Sequence, residues 1–313
     1  MRVLVIDPVH EILMKSLSEK GYRVDYVPDI TRDEVLNSIP NYEGLVLRSK
    51  MVVDSQLLER ASRLRFIGRI GSGMENIDVA LARKNQIQCF NSPEGNRDAV
   101  GEHALGLLLS LMNKIPRCDR EVRSGKWDRE ANRGTELKGR TVALIGYGNT
   151  GSAFARKLSG LEVHTIAFDK YRYGFSGAYV QEKNMEEVFD QADVLSLHVP
   201  LTEETRYMVD DAFIRRFRKP IVLINTSRGE VVRTSDLVAH LKEGTIRAAA
   251  LDVLEYESKT FEKLHRVQDL PSHFTELTAM EQVILTPHVA GWTHESYRKL
   301  SEIMARKIIM HFE

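Results

Sequence analysis

The first ninety residues alternate short apolar runs with amphipathic stretches. The apolar runs have the length of buried strands, and the stretches between them carry signals that begin helices. Thr31 followed by Glu34 forms a capping-box pattern, and Asp54 and Asp78 stand where a helix N-cap is expected. The strand-like runs are VLVID (3–7), YRVDYV (22–27), GLVLRS (44–49), LRFIGRIG (64–71) and IQCFN (87–91). Strands separated by helices predict a parallel sheet, whose functional loops lie at the carboxyl ends of the strands.

A second alternation begins at Thr141, after a break in the pattern. The break, NSPEGNRDAVGEHALGLLLSLMNK (91–114), opens as a loop and continues as a long apolar helix. The polar stretch CDREVRSGKWDREANRGTELKG (118–139) is predicted to be an irregular linker. The strand-like runs of the second set are TVALIG (141–146), VHTIAFD (163–169), VLSLHVP (194–200), PIVLINTS (220–227), IRAAALDV (246–253) and QVILTPHV (282–289). With a final amphipathic helix over roughly 293–312, the pattern predicts an α/β protein with two doubly wound parallel sheets.

The composition argues against several classes of function. Lys plus Arg and Asp plus Glu number 44 each, so the formal net charge is zero and no basic field favours nucleic acid. The longest apolar stretch, 104–112, is too short to span a bilayer, and the first residues, MRVLVIDPVHEIL, are unlike a secretory signal. Cys89 and Cys118 show neither a CxxC motif nor a metal-like spacing. We therefore expect a soluble, cytoplasmic globular protein with no metal, no nucleic-acid partner and no membrane partner.

The stretch ALIGYGNTGSAFARKL (143–158) carries a glycine pattern that occurs in nucleotide sites. Gly146-x-Gly148-x-x-Gly151 is weak evidence alone, but here a strand precedes it and a helix follows. In such a loop the first glycine permits a tight turn, the second lets the backbone approach a pyrophosphate, and the third lets helix and strand pack closely. We therefore predict a dinucleotide site. The other loop residues expected beside the pyrophosphate are Tyr147, Asn149 and Thr150.

An acidic residue ends the next strand. Asp169 stands eighteen residues after Gly151, where a carboxylate can accept hydrogen bonds from the adenosine ribose hydroxyls. The same carboxylate would repel a 2′-phosphate, which favours NAD over NADP. Lys170 and Arg172 lie close enough in sequence to offset that repulsion, so strict preference for NAD stays open.

A rival glycine pair occurs earlier in the chain. Gly71-Ser72-Gly73 also follows a strand-like run, but it has no third glycine, and the next strand ends in Asn91 rather than in an acid. It therefore fails as a dinucleotide motif. Its backbone amides could still bind a smaller anion, such as a substrate carboxylate.

Three polar residues follow three of the later strands. Arg228 follows IVLINTS, Glu257 follows AALDVLEY, and His288 follows QVILTP. Each alone would be an ordinary surface charge, a solvated loop acid or a buried histidine. Together, at the carboxyl ends of strands in a sheet that holds a nucleotide, they provide a cation for a carboxylate, a titratable base and an acid that orients the base.

The chain resembles the D-isomer-specific 2-hydroxyacid dehydrogenases over essentially its whole length. The order and spacing of the matching segments are far more specific than the glycine pattern. These segments are LVLRSK (45–50), GRIGSGMENID (68–78), NSPEGNRDAVGEHALGLLLSL (91–111), IGYGNTGS (145–152), SLHVPLTEETR (196–206), INTSRGEVV (224–232), ALDVLEYE (250–257) and TPHVAGWT (286–293).

The resemblance implies two lobes with NAD in the cleft between them. A flavodoxin-like substrate domain would comprise residues 1–98 and 291–313, and a Rossmann domain that binds NAD would comprise residues 99–290. The resemblance also implies a homodimer, to which the helix near 100–112 would contribute, although its apolar character fits a core helix equally well.

The resemblance also assigns roles to residues. Arg228, Glu257 and His288 match the family's catalytic arginine, glutamate and histidine. His288 would exchange a proton with the substrate hydroxyl as hydride moves between C2 and the nicotinamide, Glu257 would stabilise the imidazolium, and Arg228 would hold the substrate carboxylate or carbonyl oxygen. The implied cofactor-binding residues are Gly146, Tyr147, Gly148, Asn149, Thr150, Gly151, Asp169, His198, Pro200, Thr205, Thr226, Ser227, Asp252, His288 and Gly291. The implied substrate-binding residues are Arg48, Ser49, Ser72 and Gly73.

The substrate is harder to assign. The pair Arg48-Ser49 and the segment GRIGSGMEN (68–76) resemble phosphoglycerate dehydrogenases more than glyoxylate or hydroxypyruvate reductases. We therefore expect oxidation of 3-phosphoglycerate to 3-phosphohydroxypyruvate, a step of serine biosynthesis, with reduction of glyoxylate, hydroxypyruvate or a larger 2-oxo acid as the alternative. A nicotinamide-sensing binding protein is an alternative of another class. No C-terminal regulatory domain, and hence no serine feedback, is expected.

Two departures from the family pattern stand near the catalytic glutamate. Ser258 occupies a position where proline is common, and the stretch 258–282 is longer than the usual connection to the histidine strand. We expect that stretch to add helix and to affect substrate selectivity. His265 and His273, which lie in it, are expected to be surface residues.

Overall fold

The structure is a computed structural model that describes residues 1–258 and 270–313. Within these ranges the chain forms two compact units. The described part of the first unit consists of Met1–Arg97, Ser258 and Trp292–Glu313. The second consists of Asp98–Glu257 and residues 270–291. Residues 259–269 of the long connection, which include His265, lie outside the described residues.

The first unit is built on a five-stranded sheet in which every strand pair is parallel, with the strand order 2-1-3-4-5. This is the order of flavodoxin-like sheets. Its strands are β1 (Arg2–Val5), β2 (Arg23–Tyr26), β3 (Gly44–Leu47), β4 (Phe66–Arg69) and β5 (Gln88–Asn91). Its helices are α1 (Ile12–Glu19), α2 (Arg32–Ser38), α3 (Ser55–Arg60), α4 (Val79–Lys84) and the last helix, α12 (His294–Phe312), with a short 3-10 helix at Ile39–Asn41.

The predicted helix starts in this unit are confirmed. Thr31 and Glu34 form a complete capping box at the start of α2. The side chains of Asp54 and Asp78 accept hydrogen bonds from the first-turn amides of α3 and α4. These caps satisfy backbone donors that have no partner within a helix.

The sheet of the first unit is buried on both faces. Alternate residues of β1 point to opposite sides, so Val3 and Val5 pack against α1 and α12, while Leu4 packs against the layer that contains α2 and α3. On the α12 side, Leu300 and Met304 are almost fully buried. The final helix therefore completes the core of a unit whose other elements come from the start of the chain.

The second unit contains a seven-stranded parallel sheet. Its strands are β6 (Thr141–Ile145), β7 (His164–Phe168), β8 (Gln181–Glu182), β9 (Val194–Leu197), β10 (Ile221–Asn225), β11 (Ile246–Leu251) and β12 (Val283–Leu285). Their spatial order is β12-β11-β10-β9-β6-β7-β8, which is the Rossmann order with one further strand at the edge. The helices are α5 (Arg97–Met112), α6 (Ile115–Arg123), α7 (Asn149–Leu158), α8 (Met185–Gln191), α9 (Asp211–Ile214), α10 (Thr234–Glu243) and α11 (Ser272–Ala279), with 3-10 helices at Ser159–Leu161 and Gly229–Val231.

The structure corrects the sequence interpretation in three places. Helix α6 occupies part of the stretch expected to be an irregular linker, where the i,i+4 ion pairs Arg117–Glu121 and Asp119–Arg123 support it. Strand β8 has only two residues, too few to give an apolar pattern. His273, expected at the surface, is half-buried on α11, where its Nε2 contacts the Tyr256 hydroxyl.

No helix among residues 1–258 and 270–313 is long and apolar enough to cross a membrane.

A glycine at the end of α10 provides a test of the fold. Gly244 has a φ of +81°, and its amide donates to the carbonyl of His240. Because alanine is strained in this left-handed region, Gly244→Ala should lower the free energy of unfolding by about 1 kcal/mol in urea titrations. The matched control is Gly160→Ala, which lies outside the left-handed region with nothing within 4 Å of an added Cβ. Equal losses in both variants would contradict the expectation.

Candidate active site

The glycine loop between β6 and α7 is a tight turn in which the strand and the helix lie close together. Gly146 has a φ of +91°, and a Cβ added to it would lie 2.4 Å from the carbonyl oxygen of His198. A Cβ on Gly151 would lie 2.2 Å from the carbonyl oxygen of Gly146, so strand and helix meet through these two glycines. At Gly148, the N-cap of α7, nothing lies within 4 Å of an added Cβ. Packing therefore requires the outer two glycines, while the middle one leaves open space at a helix N-terminus, which suits a phosphate group.

Asp169 connects the end of β7 to this loop. One carboxylate oxygen accepts the amide of Tyr147 at 2.8 Å, and the other accepts the amides of Tyr171 at 2.9 Å and Arg172 at 3.1 Å. A carboxylate has room for about four such bonds, so acceptor capacity for a ribose hydroxyl remains. The sequence reasoning missed this second, structural role of Asp169.

The cations that follow Asp169 already have partners. Lys170 forms an ion pair with Glu204, and Arg172 donates from Nη1 to the carbonyl oxygen of Tyr147 at 2.7 Å. The side chain of Arg172 is thereby drawn toward the glycine loop.

His198, at the end of β9, is buried. Its ring contacts the Ser196 hydroxyl at 3.0 Å and the Thr150 hydroxyl at 3.3 Å, and it packs against Phe154 of α7. Burial lowers the pKa of His198 to about 3, so the ring is neutral at pH 7.

The turns after β9 and β10 carry the remaining hydroxyls of the predicted cofactor set. Thr205 donates to the carbonyl of Pro200 at 2.6 Å, which closes the turn after β9. Ser227 donates to the side-chain oxygen of Asn225 at 2.7 Å. The Thr226 hydroxyl is buried and has no hydrogen-bond partner in the described part of the chain. A buried orphan hydroxyl at the carboxyl end of a central strand is the kind of group that a ligand satisfies.

His288 and Glu257 are in direct contact. His288 Nδ1 lies 2.6 Å from Glu257 Oε2, and Glu257 Oε1 accepts the amide of Leu254 at 2.6 Å. The main chain thus holds the carboxylate, and the carboxylate holds the imidazole. The two residues lie at the ends of neighbouring strands, β11 and β12.

Arg228 lies in the turn after β10, the next strand in the sheet. Its Nη1 donates to the carbonyl of Ser227 at 2.6 Å, and its own carbonyl accepts from Asn225 at 2.9 Å. A Cβ added to Gly229 would lie 1.9 Å from the carbonyl carbon of Leu254, so this turn packs directly on the segment that leads to Glu257. The structure therefore brings the turns that carry the three predicted catalytic residues to one edge of one sheet.

Asp252 is buried in the same region, and its side chain is only 1% exposed. Its carboxylate accepts the Thr286 hydroxyl at 2.5 Å and the amides of Val289 and Ala290 at 2.9 and 2.8 Å. Burial by itself would raise the pKa of Asp252, but hydrogen bonds from His103, Thr286 and the two amides bring it below its usual value. The loop that carries His288 and continues to Gly291 is thus folded around a carboxylate.

The predicted substrate residues lie at the carboxyl ends of β3 and β4 in the first unit. The Arg48 guanidinium stacks over Trp292, 3.9 Å from the ring centroid, and lies 5.5 Å from that of Tyr297. Burial lowers the pKa of Arg48. The sequence reasoning missed Trp292, although an aromatic residue four positions after the predicted catalytic histidine was a usable signal.

The other three substrate candidates lie in neighbouring loops of that unit. Ser49 follows Arg48 directly, and the side chain of Asn76 donates to the Arg48 carbonyl at 3.2 Å, which joins the loops after β3 and β4. The Ser72 hydroxyl donates to Asn96 at 2.8 Å and its carbonyl accepts from Asn91 at 2.6 Å; Gly73 follows it. The turn at Ser72 is therefore held on both sides.

The chain is similar to known proteins over nearly its whole length. Residues 105–290 match a family model described as D-isomer specific 2-hydroxyacid dehydrogenase, NAD binding domain. The chain is 32% identical over 311 residues to a D-3-phosphoglycerate dehydrogenase of Archaeoglobus fulgidus, a match that covers 99% of this chain and 57% of that protein. It is 31% identical over 307 residues to a hydroxypyruvate reductase of Thermotoga maritima, which covers 98% of this chain and 97% of the relative.

A solved structure shows the same fold. The D-lactate dehydrogenase of Lactobacillus jensenii, solved with NAD⁺, is 27% identical to this chain and has a TM-score of 0.81. The match covers 99% of this chain and 96% of the lactate dehydrogenase chain. The predicted α/β fold with two parallel sheets is confirmed. The chain spans little more than half the length, 57%, of the archaeal phosphoglycerate dehydrogenases that it matches.

The glycine loop gives a prediction that separates folding from binding. Gly151→Ala should destabilise the protein by about 1–3 kcal/mol, because its methyl group would overlap the Gly146 carbonyl. Gly148→Ala should leave thermal unfolding unchanged but weaken NADH binding about tenfold or more, since its methyl group would stand in the open space over the loop. Thermal melts and NADH fluorescence titrations measure the two effects. Unchanged NADH affinity in Gly148→Ala would contradict the proposed pyrophosphate position.

Proposed function

Because the chain belongs to the D-isomer-specific 2-hydroxyacid dehydrogenase family, with its NAD-binding domain at residues 105–290, we propose that it transfers hydride between NAD and a D-2-hydroxy acid. The observation that carries the proposal is the contact of 2.6 Å between His288 and Glu257. This pair lies at the carboxyl edge of the sheet that also bears the glycine loop. The open space at Gly148 and the orphan Thr226 hydroxyl fit a bound dinucleotide.

The histidine and glutamate would act as an oriented general base. The Glu257 carboxylate can only accept, so it favours a proton on Nδ1 and leaves the Nε2 lone pair for the substrate. His288 would take the hydroxyl proton from Nε2 when the acid is oxidised and return it when the 2-oxo acid is reduced. NAD supplies the hydride acceptor or donor. Glu257 would stabilise the imidazolium that forms, as an adjacent carboxylate does in other catalytic pairs.

Charged and polar groups would orient the acid. Arg228 is proposed to hold the substrate carboxylate or carbonyl oxygen through a charge-assisted hydrogen bond. The amides at Ser72 and Gly73 would bind the carboxylate, and Arg48 with Ser49 would bind a distal group.

We propose NAD rather than NADP as the working cofactor. Asp169 retains acceptor capacity beside the loop, and a 2′-phosphate there would meet its negative charge. The cations that could offset this charge are engaged, Lys170 by Glu204 and Arg172 by the Tyr147 carbonyl.

For the substrate we propose 3-phosphoglycerate, with the phosphate bound at Arg48. The guanidinium stacks over the Trp292 ring, with the Tyr297 ring 5.5 Å away, and stacking on an aromatic face leaves in-plane N–H donors for a bidentate anion. Reduction of hydroxypyruvate is the second candidate, favoured by the relative of that name whose whole length the chain matches. We also propose a homodimer, which the family resemblance implies.

Replacement of the proposed base tests the reaction. His288→Ala should reduce turnover of 2-oxo acids with NADH about 100-fold or more, while NADH binding stays within about twofold, because the ring moves a proton. Loss of NADH absorbance and NADH fluorescence titration provide the two readouts. His164→Ala, an exposed histidine at the start of β7, is the control. Near-normal turnover of His288→Ala would exclude His288 as the base.

A panel of acids tests the substrate. The protein should reduce 3-phosphohydroxypyruvate with a higher kcat/KM than hydroxypyruvate or glyoxylate. Arg48→Leu should lower kcat/KM about tenfold more for the phosphorylated acid than for glyoxylate, since glyoxylate has no distal anion. Equal losses for both acids would place Arg48 outside the substrate site. Binding of NADH without turnover of any acid would favour the alternative function, a nicotinamide-sensing binding protein.

A further inference from the structure

The loop Thr286–Ala290, which carries His288, adopts a strained conformation around Asp252. His288 has a φ of +54°, in the left-handed region that a β-carbon disfavours. The amide of His288 donates to the carbonyl of Asp252 at 2.8 Å, and the next two amides donate to its carboxylate. The position of the imidazole therefore depends on the position of Asp252.

A further side chain contacts this carboxylate from α5. His103 Nε2 lies 3.1 Å from the Thr286 hydroxyl and 3.5 Å from Asp252 Oδ1. The Thr286 hydroxyl donates its one proton to Asp252, at 2.5 Å, so at its contact with His103 the hydroxyl oxygen accepts. His103 must then carry its proton on Nε2. The side chains form a directed chain of donors from His103 through Thr286 to Asp252.

We propose that His103 is a positioning residue for His288 and acts through Thr286 and Asp252. The inference rests on the proposed function, in which His288 is the base. His103 touches neither Glu257 nor His288 in the described residues; it orders the group that the His288 loop folds around. Without a donor from α5, the buried Thr286–Asp252 pair would lose a hydrogen bond in a site that is almost closed to water.

The environment of Asp252 supports this role. Its side chain is 1% exposed, so a lost partner there is replaced poorly by solvent. His103, with Nε2 at 3.5 Å from Asp252 Oδ1, is the first of the groups that lower the pKa of Asp252 against the opposing effect of burial. His103 itself is about three-quarters buried, with a side chain 24% exposed, and it is held on a helix rather than on a loop. A helix-borne donor is a rigid support for a strained loop.

Three variants test the proposal. His103→Leu removes the donor, His103→Gln places an amide N–H near the position of Nε2, and Thr286→Val removes the intermediate hydroxyl. We expect His103→Leu and Thr286→Val each to lower kcat about tenfold, with KM and NADH affinity within about twofold. His103→Gln should restore kcat to within about threefold of the original protein. His164→Leu, exposed on β7, is the control and should match the original protein.

The double variant His103→Leu/Thr286→Val tests whether the two residues act through the same series of hydrogen bonds. If they do, the double variant should lose about tenfold in kcat, the same as the larger of the two single losses. A loss near 100-fold, the product of two independent effects, would overturn the proposal. A thermal melt of every variant is recorded. If His103→Leu does not fold, Thr286→Val and His103→Gln still give the comparison. The proposal predicts a loss of about tenfold in kcat for Thr286→Val and nearly unchanged kcat for His103→Gln, and equal kcat in the two variants would contradict it.

A spectroscopic arm separates this inference from the proposed reaction. In spectra of ¹⁵N-histidine protein, with His288 assigned through a His288→Gln variant, the ring signals of His288 should shift in His103→Leu and return in His103→Gln. Unchanged His288 signals in His103→Leu would overturn the positioning role. If the original protein reduces no 2-oxo acid, the proposed function fails, whereas the signals still decide whether His103 positions the ring.

Discussion

The candidate site depends on the hydrogen bonds that the carboxylate of Asp252 accepts. It is buried at the end of β11 and accepts a hydroxyl and two amides from the segment after β12. These bonds join two neighbouring strand ends and hold His288 in a backbone conformation that it would not otherwise adopt. Glu257 then sets the direction of the ring. A buried carboxylate is tolerated here because it accepts hydrogen bonds from a hydroxyl and two amides.

Much of the fold could be predicted from the sequence, because it follows from local periodicity. Apolar runs of five to eight residues coincide with all the described strands except β8, and the caps at Thr31, Asp54 and Asp78 began helices as expected. Helix α6 could not be recognised, because its support comes from ion pairs and not from an apolar face. The strand β8 is too short to leave any period.

The sequence allowed the residues of the candidate site to be predicted, but not the contacts that their side chains make. Strand ends and a family resemblance identified Arg228, Glu257 and His288, and their roles stay predictions. The stack of Arg48 on Trp292, the burial of His198 and the hydrogen bond from the Tyr147 amide to Asp169 depend on residues distant in sequence. No pattern within a single segment encodes such contacts. The domain boundaries also stay a prediction.

The return of α12 to the first unit has a consequence for synthesis of the protein on the ribosome. The face of the first sheet that Val3, Val5 and Phe66 form is covered by Leu300 and Met304, from a helix that follows the entire second unit in the chain. Since translation runs from the N-terminus, that apolar face stays incomplete while the second unit is being made. The first unit to be synthesised is thus the last to close its core, and the nascent chain in that interval is the form in which aggregation and chaperone binding are to be expected.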